Sequence, residues 1–552
     1  MAQPTVDIRT AELAADAEQQ VERLVEQRVA SALAARDPAL WGEQAQQEAA
    51  ARLGWVTLPE TSRPLLYTVD ALRAELRADG IDRVVLSGMG GSSLAPEVIA
   101  ATGNAEAGSG RLTVLDSTDP GEVGDALAGD LDRTVLVVSS KSGSTVETDS
   151  HRRVFAEAFA DAGLDPARHL VAITDPGSPL QQQAQQAGYR AVFEADPTVG
   201  GRYSALSAFG LVPAGLAGAD IGRLLDDAGD VSAALSVDDP ANPALRLAAA
   251  LAAAHQRGAE KIVLADTGSG IVGFADWAEQ LIAESTGKQG VGLLPIVVES
   301  PAAAGFADAG ADAVPVGLGP GGAATAVAVT GTLGGQFLLW EHAVAIAGRL
   351  LGVNPFDQPD VEAAKSASRA LLETAEVDAG RPEFIEGDIV VYAAGDWLPP
   401  GTGTVGEAVA ALLRAAPDGG YLAVQAFLNR LDDASATVLR SELARRSAAV
   451  RSGSLQTTFG WGPRFLHSTG QYHKGGRQNG VFLQLSGDPV EDLEVPGRPF
   501  TFGMLQRAQA LGDAQVLAQR GRPVLRLHFT DRAAGLVTLV RAVQQLEGEV
   551  RV

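Results

Sequence analysis

At 552 residues the chain is longer than one hydrophobic core organises and predicts two domains. Its composition, 46% hydrophobic and 20% charged, is that of a globular protein, and a net charge of −25 excludes nucleic acid or an anionic membrane as partner, since both require clustered Lys and Arg. No cysteine is present, which excludes disulfides, thiolate metal sites and a cysteine nucleophile.

The start, Met1-Ala-Gln-Pro-Thr-Val-Asp-Ile8, lacks a basic region followed by an apolar core, and no run of about 18 apolar residues escapes polar interruption. The expectation is a soluble, cytoplasmic protein. An anionic substrate stays compatible with the charge, because exposed charges are screened over about 8 Å at physiological salt and a local cation cluster still captures a phosphate. Lysine occurs only at Lys141, Lys261, Lys288, Lys365 and Lys474, against 38 arginines, so each lysine draws attention.

Residues 1 to about 60 carry helical apolar spacing (Leu13, Val21, Leu24, Val25, Val29, Leu33) and predict peripheral helices. Arg83-Val-Val-Leu-Ser87 then reads as a buried strand, followed by Gly88-Met-Gly-Gly-Ser-Ser-Leu94 and a helix. Arg111 to Asp116, Val135 to Val138 and Leu170 to Thr174 are further strands. Strands alternating with helices predict an α/β fold with a parallel, doubly wound sheet, whose ligands lie beyond the carboxyl ends of the strands. The stretch Ser139 to Asp149 (S-S-K-S-G-S-T-V-E-T-D) falls at such an end and runs into a helix over Val146 to Phe159. Several hydroxyls, a helix N-terminus and Lys141 converge there, the ingredients for holding a phosphate monoester. The same pattern also describes an N-cap with spare serines.

Gly88-x-Gly90, with Asp116 ending the next strand, has a dinucleotide-binding look, but Ser93 occupies the third glycine position. Val199-Gly-Gly-Arg-Tyr-Ser204 offers paired glycines and the Arg202 fork for an oxyanion, or a simple turn. A helix over Asn242 to His255, a strand Lys261 to Ala265, a helix Gly273 to Thr286 and a strand Leu293 to Val298 open a second alternating pattern. Gln280 and Glu284 share a helix face. Thr330 to Leu351 is an apolar helix containing Glu341 and His342, and ends at Asn354-Pro-Phe-Asp-Gln-Pro-Asp-Val-Glu-Ala-Ala-Lys365. Strands follow near Tyr421 to Phe427, Val481 to Leu485 and Val524 to Phe529. Between the first two lies the polar stretch Gly462 to Gly476 (G-P-R-F-L-H-S-T-G-Q-Y-H-K-G-G).

Taken together and in order, G-M-G-G-S-S-L, S-K-S-G-S-T-V-E-T, V-G-G-R-Y-S, E-Q-L-I-A-E-S-T-G-K, E-H and N-P-F-D-Q-P-D-V-E-A-A-K resemble the glucose-6-phosphate isomerases, or phosphoglucose isomerases, from about Arg83 to Lys365. The resemblance implies two sugar-isomerase (SIS-type) domains: a helical segment over 1–60, a first domain with the phosphate loop over 61–230, and a second over 231–552 ending in a C-terminal helix. It implies a hexose 6-phosphate substrate, no cofactor, no metal and a homodimer. By motif, Gly91 and Ser92 line the sugar site, and Ser140, Lys141, Ser142 and Thr145 hold the phosphate. Gly201 and Arg202 lie by the reacting carbons, Gln280 and Glu284 match the family's amide and catalytic base, and Gln358 and Lys365 match its second amide and catalytic lysine.

The chain departs from the family's pattern in three places. Ser142, Gly143 and Ser144 replace bulkier loop residues, and Ala283 and Thr286 stand where Met and Asn are usual. The family's catalytic histidine also has no match between Glu284 and Asn354 except His342, inside the apolar helix. The later stretch resembles a bacterial subgroup that includes isomerase portions fused to transaldolases, which makes His467 the first choice for a ring-opening histidine and His473 the second. The implied reaction is interconversion of glucose 6-phosphate and fructose 6-phosphate through a cis-enediol. Alternatives are a dual phosphoglucose/phosphomannose isomerase and a non-catalytic sugar-phosphate-binding module of the same fold. The module would need neither Glu284 nor Lys365.

Overall fold

A computed structural model of the protein describes residues 3–103, 112–372 and 379–546. Within it, Arg83–Gly88, Thr134–Ser139 and Leu170–Thr174 form as the apolar runs predict, and every residue of the last two is buried. Such unbroken apolar runs suit strands covered on both faces, where alternation would place polar groups against helices. They assemble a five-stranded, wholly parallel sheet in the order Leu112–Leu115, Arg83–Gly88, Thr134–Ser139, Leu170–Thr174, Ala191–Glu194. Arg111, expected to begin the first of these, lies outside the described residues. The chain leaves Arg83–Gly88 toward one edge and Thr134–Ser139 toward the other, so the crevice between their carboxyl ends is the sheet's switch point.

A second sheet follows the order Thr5–Ile8, Val327–Thr330, Ala313–Leu318, Lys261–Asp266, Leu294–Val297. Its last four strands are parallel, and Thr5–Ile8 pairs antiparallel with Val327–Thr330. Residues 1–60 are therefore not only the peripheral helices expected. Their first element is an edge strand whose partner lies more than 300 residues away, with Val6 buried and Thr5 and Asp7 exposed. Four residues carry too short an alternation to stand out, and a remote partner leaves no local trace.

The region 231–552, expected as one domain, holds this sheet and a third. The third runs Phe384–Glu386, Ile389–Ala394, Val524–Phe529, Gly480–Gly487, Tyr421–Phe427, Gln456–Trp461, parallel over the last four strands and antiparallel over the first two. It has its own core around Leu422, Val424, Leu483, Leu525 and Leu539. The alternation of elements announces α/β structure but does not say which strands share a sheet, because pairing is decided by long-range contacts. One face of the third sheet packs on the second through Tyr421, Ala423, Phe482 and Val524 against Val263, Leu294 and Ile296. A neighbouring segment, Val495, Phe500, Phe502 and Leu505, joins the core on the first sheet's other face. Among the described residues no helix is long and apolar enough to cross a membrane.

Candidate active site

Two turns leave the switch point of the first sheet. In the one after Arg83–Gly88, Gly90 has φ +56°, and a Cβ there would lie 2.7 Å from Gln280 Nε2 and 2.8 Å from the His467 carbonyl oxygen. A Cβ on Gly91 would lie 1.9 Å from the Gly201 carbonyl oxygen. Only glycine lets this turn touch three other segments at once, and Ser92 closes it in a 3₁₀ turn. The G-M-G-G-S-S-L motif is thus a meeting point for the segments carrying Gly201, Gln280 and His467.

The second turn is the serine loop. Ser140 Oγ lies 3.1 Å from Thr145 Oγ1 and accepts from the Gly143 N–H at 3.1 Å, while Ser142 and Ser144 share a hydrogen bond of 2.8 Å. Thr145 sits at the N-cap of helix Val146–Asp161, yet its side chain does not cap the helix and stays turned to the loop. Gly143 adopts φ +68° against Leu180. Lys141 is drawn to one side, with Nζ 2.7 Å from Asp175 and 3.2 Å from the Pro197 carbonyl.

Opposite the loop, helix Phe274–Thr286 buries both members of its polar pair. Arg202 Nη1 donates to Glu284 Oε2 at 3.1 Å, and both side chains are buried. Burial pushes the Glu284 carboxyl above the usual carboxylate range, while the Arg202 charge and the Gln280 amide pull it back. Arg202 Nη2 donates to the carbonyls of Phe356 and Asp357 at 2.8 and 2.9 Å. Lys288 Nζ reaches the carbonyls of Asn354 and Asp357 and the Asp357 carboxylate at 2.7, 2.7 and 2.8 Å. Burial and the neighbouring Arg202 lower Lys288 to about 8. The two cations therefore pin the N-P-F-D turn in front of Glu284, and Gln358 follows it, exposed. Gln280 Nε2 donates to Glu284 Oε1 at 3.4 Å and to the His467 carbonyl at 2.9 Å, and its own Oε1 is buried without a hydrogen-bond partner.

His467 ends a 3₁₀ turn that the third sheet presents to the first. Its Nε2 lies 3.1 Å from Glu147 Oε1, which also accepts from Gln509 Nε2 at 2.7 Å. Burial pushes the Glu147 carboxyl up, but the charge and hydrogen bond of His467 and the charge of Lys365 carry it below the ordinary range. A cavity of about 280 Å³ is lined by Ser142, Thr145, Glu147, Lys365, His467 and Gln509. Lys365 Nζ pairs with Glu362 at 3.0 Å at its rim. The serine loop, Lys365 and His467 thus face one space, and Gln280 links that space to Glu284.

His473 does not share it. Six residues beyond His467, it is buried, bonded through Nδ1 to the Tyr421 hydroxyl at 3.1 Å and packed against Phe482, and burial holds its ring well below the usual histidine pKa. His342 is likewise a core residue, bonded to the Leu338 carbonyl and edge-on to Trp55. Sequence reasoning missed Glu147, Gln509 and Lys288. Glu147 stands in the serine motif itself, but an acid in a first helical turn ordinarily just complements the helix dipole. Gln509 carried no signal. Lys288 was visible as one of five lysines and as the end of the E-Q-L-I-A-E-S-T-G-K motif, with no role attached.

The phosphoglucose isomerase family model matches residues 74–312. The glucose-6-phosphate isomerase of Synechococcus sp. is 39% identical over 206 residues, covering 36% of this chain and 39% of that relative. A probable glucose-6-phosphate isomerase of Methanococcus maripaludis is 27% identical over 366 residues, covering 56% of this chain and 83% of the relative. The chain spans about two fifths of the length of the first curated relatives it matches. Among solved structures, a hypothetical protein from Thermus thermophilus aligns over 67% of this chain and 100% of its own, with 27% identity and a TM-score of 0.57. The glucose-6-phosphate isomerase of Chlamydia trachomatis shares the fold over 67% of this chain and 88% of its own, with 19% identity and a TM-score of 0.53. Over residues 74–312, the stretch that holds the serine loop and the Arg202–Glu284 pair, the chain matches the phosphoglucose isomerases, and theirs is the family that its sequence resembles.

Proposed function

We propose that the protein interconverts glucose 6-phosphate and fructose 6-phosphate. The observation that carries this reading is a cavity faced by the serine loop, Lys365 and the carboxylate-bound His467, and joined through Gln280 to the buried Arg202–Glu284 pair. Ser140, Lys141, Ser142 and Thr145 hold the phosphate, Lys141 exchanging Asp175 for the ligand. Gly91, Ser92 and Gly201 shape the floor, and Gln280 and Gln358 offer amides to sugar hydroxyls; the unpartnered Gln280 oxygen supports that role.

Ring opening moves a proton from the anomeric hydroxyl and returns one to the ring oxygen as the C–O bond breaks. His467 and Lys365 share this step. Glu147 fixes the orientation of the imidazole through its hydrogen bond to Nε2. Glu284 then removes the C2 proton of the open aldose. The electron pair forms the C1–C2 double bond, and the carbonyl oxygen becomes an enediolate faced by Arg202. A proton passes from O2 to O1, and return of the carbon-bound proton from Glu284 to C1, as the C2–O2 carbonyl forms, yields the ketose. A general base typically supplies about 10²- to 10⁴-fold, short of the roughly 10⁶-fold or more of most enzymes. Charge stabilisation by Arg202 and orientation by the anchored phosphate supply the rest.

Residues 61–230 and 231–552 serve in this reading as phosphate and base domains. A cytoplasmic homodimer is the matching assembly. Because His467 meets Glu147 of its own chain, the dimer is not required to complete the histidine's position. Glu284→Gln tests the proposal: it should abolish exchange of the C2 proton with labelled water while phosphate binding survives, and retained exchange removes Glu284 from its role. Mannose 6-phosphate as competitor tests the dual-isomerase alternative.

A further inference from the structure

Three strands of the third sheet, Tyr421–Phe427, Gln456–Trp461 and Val524–Phe529, end at one carboxyl edge, and an arginine follows each by three residues: Arg430, Arg464 and Arg532. Ligands of parallel sheets usually sit at such an edge. Here the three arginines cross to acids of the first sheet's loops and helices. Arg430 Nη1 donates to Glu97 at 2.8 Å, and Arg532 Nη1 lies 2.7 Å from Asp119 and 3.4 Å from Asp433. Arg464 uses both arms of its fork, Nη1 on Asp116 at 2.8 Å and Nη2 on Glu97. Its side chain is largely buried, and the acids around it raise its pKa against the penalty of burial.

Arg464 opens the 3₁₀ turn that His467 closes. The far end of that turn is tied to helix Phe274–Thr286: Gln280 donates to the His467 carbonyl, and the Ser468 hydroxyl donates to Glu279 at 3.5 Å. The turn is thus held at one end by the first sheet and at the other by the second, with the His467 ring on Glu147 between them. We infer that Arg464 is a positioning residue for His467, its two-armed grip on Glu97 and Asp116 setting the distance from the imidazole to Glu147. The inference rests on the role given to His467 above. A fork that spans two carboxylates on different elements fixes a direction that a single ammonium does not, and misplacement of a reacting group by about 1 Å costs about 10²-fold in rate.

Removing Arg464 alone strands the buried Asp116 and threatens folding, whereas Glu97 keeps Arg430, so the decisive variant combines Arg464→Ala with Asp116→Asn. With histidine-labelled protein, this variant should keep a cooperative fold and lose the low-field His467 ring N–H resonance held by Glu147. Its kcat on cyclic glucose 6-phosphate should fall about 10²-fold, with KM changed less than threefold and turnover of an open-chain analogue retained. Arg464→Lys should recover part of the ring-opening rate. If the neutralised variant keeps both the resonance and ring opening, Arg464 only balances charge and the inference is overturned. Should the wild type prove inactive on these sugars, the proposed reaction fails, while the resonance, read without substrate, still decides the positioning claim.

Discussion

The first and third sheets meet through their carboxyl ends, and those ends have been put to opposite uses. At the first sheet, glycines at 90 and 91 and short serine side chains leave the switch-point crevice open, with a cavity of about 280 Å³ beside it. At the third, arginines leave the strand ends and spend their charge on the first sheet's acids. The same architecture thus gives a place for a ligand where side chains are small, and a docking face where they are long and charged. The docking face brings His467 to a site that otherwise belongs to the first two sheets.

The largest expected effect lies on the open side. Glu284→Gln should lower kcat by about 10²- to 10⁴-fold, measured by coupled assay in both directions. The pH profile sharpens it. Glu284 must be ionised to act and its carboxyl is raised by burial, so the acid limb of kcat/KM should lie above the ordinary glutamate range. Arg202→Gln removes an opposite charge and should move that limb higher still.

Next is a comparison within one stretch of the docking side. His467→Ala should lose ring opening selectively, by about 10²-fold or more, while an open-chain analogue still turns over. His473→Ala should spare ring opening and instead cost about 1–3 kcal/mol of stability, because it leaves the Tyr421 hydroxyl buried without a partner. Urea titration separates the two. A smaller effect is expected at the phosphate loop. Lys141→Ala should raise KM about 10-fold, as loss of one charge-assisted hydrogen bond implies, whereas Asp175→Asn, which frees Lys141, should leave KM unchanged or lower.

The smallest effect reads the docking face itself. Burial pushes Glu122, against the neighbouring Arg430, up to about 7. The folded state then keeps a proton that the unfolded chain releases near its ordinary pKa. Stability should therefore fall as pH rises from about 4.5 to about 7 and flatten above, and Glu122→Gln should remove this contribution to the slope. Denaturant midpoints across that range provide the check.

The sequence alone determined the strands at Arg83–Gly88, Thr134–Ser139 and Lys261–Asp266, the serine loop and the Gln280/Glu284 face, because burial on both faces, turn chemistry and helical spacing are written locally. Tertiary structure decided the rest. Thr5–Ile8 became a strand only by pairing with Val327–Thr330, the region after residue 230 divided between two sheets through contacts that no local pattern records, and Glu147 found His467 320 residues away. His467 and His473 sit in one polar stretch with equal claims by composition. The packing of the third sheet on its neighbours turned one toward the crevice and the other into the core, since where a side chain points after a turn depends on what the turn is fastened to.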